Sequence, residues 1–195
     1  AEMIRRNGES ELVAMCDVRP QSEVQLDPSI PLYPSLEAML EAHPDLDVIN
    51  VCTPNGLHGE HTLKALEARK HVVIEKPMAL TVAECEKIIF KALQVSRQVF
   101  CVMQNRYSPP SVWIKELVEA GTLGRIFMVQ LNCYWNRDNR YYTGKNWKGT
   151  PDLDGGTLFT QFSHFIDIMY WLFGDITEIQ ARFDADRSYL KTLRE

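Results

Sequence analysis

The chain has 195 residues and a formal net charge of -5, so it is long enough for one large domain or two small ones and lacks the basic footprint of nucleic-acid or anionic-membrane binding. No apolar run reaches membrane-spanning length. The five cysteines lie singly, without the paired spacing of a zinc site, which predicts free thiols in a reducing compartment. We therefore expect a cytoplasmic protein that holds no metal.

Four short apolar runs, at residues 11–17, 46–54, 71–77 and 98–103, are rich in β-branched or aromatic side chains. Such runs are typical of strands buried on both faces of a parallel sheet. Helical patterns separate them, and the clearest covers residues 81–95. There Thr81 and Glu84 form a capping box ahead of an apolar set made of Val82, Cys85, Ile88, Ile89, Ala92 and Leu93. The alternation predicts an α/β protein with a doubly wound parallel sheet of the Rossmann type.

The rhythm changes after residue 106. Residues 108–121 predict a helix ended by Gly121, and the alternation in residues 125–135 predicts a half-buried strand. The apolar face of that strand holds Phe127, Val129, Leu131, Cys133 and Trp135. An aromatic loop follows to about Gly156, and residues 157–174 predict a strongly apolar helix ended by Gly174. We expect a dinucleotide-binding domain at 1–106 and part of a second domain at 107–195.

Both ends of the sequence lead us to expect a longer natural chain. Dinucleotide folds open with a strand and a Gly-rich turn, and residues 1–8 have the pattern of the helix that follows such a turn. The second part holds one long strand, one helix and the start of another strand, which is too little for a stable layer. The first strand and the Gly-rich loop are therefore expected to lie outside these 195 residues.

Polar groups or proline follow each of the four predicted strands: Asp17, then Thr53-Pro54-Asn55, then Glu75-Lys76-Pro77, then Gln104-Asn105-Arg106. Ligands of doubly wound sheets bind at the carboxyl ends of the strands, where these groups would meet. Asp17 is placed to accept hydrogen bonds from an adenosine ribose, which favours NAD over NADP. Two alternatives stay open. NADP is one, because Arg19 is the residue type that binds a 2′-phosphate. The other is a purely structural role for Asp17 in the turn before Pro20.

The apolar helix carries a polar stripe. Thr160, His164, Asp167 and Trp171 are spaced four, three and four residues apart, which places them on one helix face. A buried core histidine is the alternative to a functional one. The preceding Gly155-Gly156 pair permits close backbone approach and favours a site.

A histidine of near-neutral pKa can remove a hydroxyl proton as a hydride leaves the same carbon. A nearby lysine can hydrogen-bond that oxygen and stabilise its developing negative charge, and we assign this task to Lys76. The alternative is an ion pair between Lys76 and Glu75, which is a poor pair because adjacent strand residues point to opposite faces.

Four segments in order carry a family resemblance: TPNGLH at 53–58, EKP at 75–77, QNRYSP at 104–109 and GGTLFTQFSHFID at 155–167. Together they resemble the glucose–fructose oxidoreductase / inositol dehydrogenase (Gfo/Idh/MocA) family, from about residue 11 to residue 183. The resemblance implies a dinucleotide-binding domain, then an α/β domain with a large open sheet, and NAD(P)-dependent oxidation or reduction of sugars and cyclitols. It also implies catalytic roles for Lys76 and His164 and a homo-oligomer, a dimer or tetramer.

The chain departs from the family at Thr160, where many members carry an aspartate four residues before the histidine. The form FTQFSHFID, with YWNRDNRYY and WKGT upstream, resembles the branch acting on nucleotide sugars. Members of that branch oxidise UDP-N-acetylglucosaminuronic acid at C3 on the way to lipopolysaccharide sugars.

The loop at residues 135–150 interleaves cations with aromatic rings: Arg137, Arg140, Lys145 and Lys148 with Tyr141, Tyr142 and Trp147. Cations there could bind a uronate or a diphosphate, and rings could pack on a sugar or uracil. A solvated or subunit-contact loop is the alternative.

We therefore predict an NAD-dependent dehydrogenase of a nucleotide sugar. The predicted cofactor-binding residues are Asp17, Thr53, Asn55, His58, Glu75 and Gln104. The predicted substrate-binding residues are Arg106, Tyr107, Arg137, Trp147, Thr160 and Asp167, and Asp167 is also expected to orient His164. A free-sugar or inositol-type dehydrogenase and a non-catalytic NAD-binding regulatory protein are the alternatives.

Overall fold

The computed structural model describes residues 1–24, 27–143 and 147–180. In chain order its helices and strands are α1 (Glu2–Arg6), β1 (Met15–Cys16), β2 (Leu32–Tyr33), α2 (Leu36–Ala42), β3 (Val48–Val51), α3 (His58–Glu67), β4 (His71–Ile74), α4 (Val82–Val95), β5 (Val99–Cys101), α5 (Pro109–Glu119), α6 (Asn139–Tyr142), α7 (Pro151–Asp154) and α8 (Ser163–Phe173). Among these residues, no helix is both long enough and apolar enough to cross a bilayer.

All strand pairs are parallel, as the alternation of strands and helices predicts. They form two sheets, a pair β1–β2 and a triple β3–β4–β5, and no ladder joins the two among the described residues. The single sheet that we expected is therefore divided, and the run at 11–17 contributes only a two-residue strand. β2 is also two residues long, too short for a period-two pattern to reveal it.

The core lies on one face of the three-stranded sheet. Ile49, Val51, Val72 and Ile74 are buried there beneath α3 and α4, whose Leu66 and Ile88 are fully buried. On the opposite face Val48 is 43% and Phe100 57% exposed. The expectation of strands buried on both faces is therefore wrong for the described structure, because helices cover only one face.

Helix α4 begins as its capping box predicts. The Thr81 hydroxyl oxygen accepts the Glu84 amide N–H at 3.2 Å, which satisfies one of the free donors of the first turn. Ile88 and Ala92 are buried against the sheet, whereas Ile89 and Leu93 are 52% and 75% exposed. The helix is thus confirmed, but only part of its predicted apolar set packs in the core.

The predicted strand at 125–135 is wrong in the described structure. These residues form no ladder, and Phe127 and Met128 are 83% and 80% exposed, so neither face is buried. A strand needs a neighbouring strand for its backbone groups, and none of the described residues supplies one. Residues 175–180 likewise form no strand; the remainder of the predicted last strand lies outside the described residues.

The two helices of the second half end as predicted, at Gly121 with φ +67° and at Gly174 with φ +88°. The second helix is not regular, however. Its first turn, Leu158–Phe162, is a π-helix, and α8 begins only at Ser163. A π turn frees a backbone carbonyl from the helical pattern and is frequent at functional sites.

Candidate active site

The ammonium of Lys76 reaches across the molecule to the π turn. Lys76 follows β4, and its Nζ donates a hydrogen bond to the backbone carbonyl of Thr160, 84 residues later in the chain. Among the described residues, no ion pair joins this side chain to the neighbouring Glu75, whose charge nevertheless acts to raise the pKa of Lys76. The peptide bond from Lys76 to Pro77 is cis. The contact joins the strand ends of the first half to the apolar helix of the second.

His164 lies on the turn after Thr160 and is only 7% exposed. Its Nδ1 is buried without a hydrogen-bond partner among the described residues. Burial, and then the positive charge of Lys76, hold the pKa of His164 below its ordinary value of 6.5. The ring is therefore kept neutral at neutral pH, which is the protonation state that a general base requires.

The pKa of Lys76 is also lowered, first by burial and then by the nearby guanidinium of Arg137, while Glu75 opposes the shift. Lys76 thus lies within electrostatic range of both His164 and Arg137, and the three form a cluster of basic groups around it. Such a cluster favours a negatively charged ligand.

Arg137 is fixed by the π turn. It donates to the Thr160 hydroxyl at 3.3 Å and to the Gln161 side-chain oxygen at 2.7 Å, and its guanidinium carbon lies 4.2 Å from the centroid of the Tyr141 ring. The Nε of Arg137 is buried and unpaired among the described residues. Many family members are expected to carry an aspartate at position 160. In this chain Thr160 stands there, and its hydroxyl accepts a hydrogen bond from Arg137. The sequence pattern did not single out Gln161.

Asp167 does not orient His164. Both of its carboxylate oxygens accept hydrogen bonds from Arg106, with 2.8 Å between Oδ2 and Nε. Arg106 also lies 6.0 Å from the ring of Trp171, and Lys115 donates to the Trp171 carbonyl at 2.8 Å. The predicted polar stripe therefore has two roles. Its first residue, Thr160, contacts Lys76 and Arg137, whereas Asp167 near its other end joins α8 to Arg106, just after β5.

Replacing Arg106 with alanine should therefore lower the stability by about 2 kcal/mol, since the largely buried Asp167 carboxylate loses its charged partner. For a domain of this size that is a thermal midpoint lower by roughly 4–8 °C in calorimetry. Arg140→Ala is the matched control, because the Arg140–Asp138 pair has side-chain exposures of 91% and 42%. Equal losses in both variants would show that Asp167 needs no partner.

The cleft at the end of the two-stranded sheet holds about 260 Å³ and is lined by Asp17, Arg19, Leu32 and Tyr33 among others. Arg19 binds both oxygens of Asp17, at 3.1 and 2.7 Å, and this hydrogen bonding lowers the pKa of Asp17. The carboxylate and the guanidinium are thus engaged with each other at the cleft, so the geometry keeps both NAD and NADP open.

His58 lies between the strand ends. The ring is 1% exposed; Nδ1 lies 2.7 Å from the Pro77 carbonyl oxygen and Nε2 lies 2.8 Å from that of Thr53. Because both ring nitrogens face backbone carbonyls, the expectation that His58 contacts the cofactor is corrected. The side chain instead ties the end of β3 to the end of β4.

The other predicted cofactor residues lie in the turns that follow β3, β4 and β5, which together we call the rim. The Thr53 hydroxyl lies 3.1 Å from Nδ1 of His61, and the Glu75 amide N–H donates to the Val51 carbonyl at 2.9 Å. Gln104 is exposed at the start of a 3-10 turn. Asn55 is buried, and its side-chain amide donates to the Asp154 carbonyl at 2.8 Å. Their contacts with a dinucleotide stay predictions.

Two predicted substrate residues are less closely placed. Tyr107 is 82% exposed, so the structure does not bring it to the cluster around Lys76. Trp147 is half-buried, and its carbonyl accepts the Thr150 amide N–H at 3.2 Å. Lys145 lies outside the described residues. Sequence reasoning missed Asp154, whose only local signal is its position before Gly155-Gly156.

A cavity of about 700 Å³ is lined mostly by apolar groups such as Met78, Met103, Phe159 and Ile166, with Asp167 at its wall. Its lining does not include Lys76, His164 or Arg137. Burial raises the pKa of the thiols of Cys16, Cys52, Cys85 and Cys101, the last to about 11, so none of these four is an activated thiolate. Within the described ranges, no group of three or more His, Cys, Asp or Glu side chains could hold a metal ion.

Parallel strands whose carboxyl ends gather polar groups, with a lysine and a buried histidine beside them, define a dinucleotide-binding α/β protein with a lysine–histidine site. The family comparison agrees with this class. Residues 1–103 match the oxidoreductase family with an NAD-binding Rossmann fold, and residues 112–191 match the GFO/IDH/MocA C-terminal domain. The chain belongs to the GFO/IDH/MocA family of oxidoreductases.

Individual relatives act on different molecules. The WlbA dehydrogenase from Bordetella pertussis, solved with NADH and UDP-GlcNAcA, has a TM-score of 0.82 and 33% identity, covering 89% of this chain and 51% of its own. The 1-carboxy-3-chloro-3,4-dihydroxycyclohexa-1,5-diene dehydrogenase of Comamonas testosteroni is 30% identical over 91% of this chain and 46% of its own. The scyllo-inositol 2-dehydrogenase (NADP(+)) IolW of Bacillus subtilis is 33% identical over 77% and 41%, respectively. The chain thus spans about half the length of these relatives.

Proposed function

We propose that the protein is an NAD-dependent dehydrogenase that oxidises a hydroxyl of a nucleotide sugar carrying a carboxylate, of the UDP-GlcNAcA type. The observation that carries the proposal is the position of Arg137, which the Thr160 and Gln161 side chains hold beside Lys76. A guanidinium is the group best suited to pair with a carboxylate. The relative solved with NADH and UDP-GlcNAcA supports the same substrate class.

In this proposal Lys76 binds the hydroxyl oxygen of the substrate and stabilises the negative charge that develops on it. His164, held neutral by burial and by the charge of Lys76, takes the hydroxyl proton. Bound nicotinamide would supply the acceptor for the hydride that leaves the carbon bearing this hydroxyl.

The chain offers a place for the dinucleotide. The cleft of about 260 Å³ beside Asp17 could take the adenosine end, and the turns after β3 and β4 could take the remainder. Thr53, Asn55, Glu75 and Gln104 would hold it along this rim. The Asp17 carboxylate favours a ribose diol over a phosphate, which is why we propose NAD.

The substrate class is tested with the full-length protein by following the absorbance of reduced nicotinamide. We expect NAD reduction with UDP-GlcNAcA and not with scyllo-inositol or glucose. Reduction by scyllo-inositol alone would replace the proposal with a polyol dehydrogenase, as the similarity to IolW would then suggest. No reduction with any substrate, despite NAD binding in calorimetry, would favour the regulatory alternative.

Arg137→Gln should raise KM for UDP-GlcNAcA by about 10- to 100-fold, the equivalent of losing one charge-assisted hydrogen bond. The rise in KM should be several-fold smaller with UDP-GlcNAc. That sugar has no carboxylate, so the wild-type enzyme makes no Arg137–carboxylate contact for the variant to lose. Steady-state kinetics with both sugars give the comparison. An equal rise in KM for both sugars would mean that Arg137 does not bind the carboxylate.

A further inference from the structure

A buried contact joins the two halves of the site. The side-chain amide of Asn55, in the turn after β3, donates to the Asp154 carbonyl oxygen at 2.8 Å, and the two residues are 6% and 3% exposed. They are 99 residues apart in the sequence. Asn55 lies at the rim proposed for the dinucleotide, whereas Asp154 ends the short helix α7 that precedes the π turn.

The backbone at Gly56 makes this approach possible. A Cβ atom at Gly56 would lie 1.9 Å from the carbonyl oxygen of Asp152 and 3.0 Å from the Cα of Leu153, and both are backbone atoms. Real Cβ atoms do not approach backbone so closely, so only glycine allows the turn to lie against α7 in this position.

The carboxylate of Asp154 organises the segment in front of α7. Its Oδ2 accepts the Gly149 amide N–H at 2.5 Å, while its own amide N–H donates to the Thr150 carbonyl at 2.9 Å. Lys148, next in the chain, has its Nζ 4.2 Å from the Tyr141 ring centroid. The same ring lies 4.2 Å from the Arg137 guanidinium, so the contacts run continuously from Asn55 to the proposed carboxylate-binding group.

We propose that the Asn55–Asp154 contact is a latch that couples the cofactor and sugar sites, with Gly56 and Asp154 as positioning residues. A dinucleotide bound at the turn after β3 fixes the turn, which through the latch orders residues 147–154 and lowers the entropy cost of binding the sugar. Because such coupling is reciprocal, the sugar tightens dinucleotide binding by the same factor. The inference rests on the proposed function for the identity of the two ligands.

The test uses hydrogen–deuterium exchange of the full-length protein with NADH, and with NADPH in parallel, in the absence of sugar. We expect either dinucleotide that binds to slow exchange in the peptide covering residues 147–154. The effect should be absent in Gly56→Ala and Asp154→Ala. It should return in Asp154→Asn, whose side-chain oxygen can still accept the Gly149 N–H.

Gly59→Ala and Asp152→Ala are the controls. A Cβ at Gly59 would meet only the flexible Glu84 side chain at 3.4 Å, and the Asp152 side chain is exposed. Both controls should keep the protection. Calorimetry then measures UDP-GlcNAcA binding with and without NADH, and we expect about a tenfold difference in Kd in the wild type.

Unchanged exchange on dinucleotide binding in the wild type would overturn the latch, and so would full protection in a folded Gly56→Ala variant. The wild-type measurement decides even if that variant fails to fold. The two proposals fail separately: protection without oxidation of any sugar would contradict the proposed function alone, whereas sugar oxidation without protection would contradict the latch alone.

Discussion

Replacing Lys76 with alanine should lower kcat/KM for the proposed nucleotide-sugar substrate by about 10² or more, the usual loss when a group that stabilises developing negative charge is removed. The structure gives the reason: Nζ of Lys76 is held at the Thr160 carbonyl, inside the cluster formed with His164 and Arg137. Initial rates at saturating cofactor, together with thermal unfolding, separate lost catalysis from lost folding.

Lys70→Ala is a matched control for this variant. Lys70 immediately precedes β4 and its Nζ also donates to a backbone carbonyl, that of Pro44, but at the opposite end of the strand. The Lys70→Ala enzyme should keep wild-type turnover. A Lys76→Ala enzyme with an unchanged rate would end the assignment of Lys76 to the reacting hydroxyl.

Replacing His164 with asparagine should lower kcat by about 10²–10⁴, the range for loss of a general base, and remove the acid limb of the pH profile. In the proposed mechanism His164 acts as a base only when neutral, that is, above its pKa. Burial and Lys76 hold that pKa below 6.5. Wild-type activity should therefore persist as the pH falls to 6.5 and decline only at more acid pH.

The pH profile also links the two groups. Because the charge of Lys76 lowers the pKa of His164, Lys76→Met should raise it, and the acid limb of the residual activity should move to higher pH. His71→Gln is the control histidine, since its Nδ1 only accepts the Gln98 amide N–H at the other end of the sheet. A His164→Asn enzyme that keeps the wild-type acid limb would contradict the role of His164 as base.

The latch and the Arg106–Asp167 pair show how the site depends on contacts between the two halves of the chain. Arg106 holds α8 to the end of β5, and Lys76 holds the π turn to the end of β4. Through Asn55, the turn after β3 holds α7. Three successive strand ends thus each fix one part of the second half, which explains why residues so far apart in sequence form one cluster.

The amino-acid sequence alone determined those helices and strands whose patterns extend over only a few neighbouring residues. The capping box of Thr81 starts α4, glycines end α5 and α8, and the buried runs form parallel strands. The motif segments were also enough to single out Lys76, His164 and Arg137, because these residue types stand out beside strand ends, in an apolar helix and in an aromatic loop.

The tertiary structure alone decided which side chains meet. Periodicity placed Asp167 on the face of His164, but the carboxylate pairs with Arg106, 61 residues away. Alternation predicted a strand at 125–135, but a strand also needs a partner, and the described residues supply none. His58 was expected at the cofactor and is buried between two carbonyls. Propensity and periodicity act over a few residues, whereas these contacts depend on how distant segments pack, which no local pattern encodes.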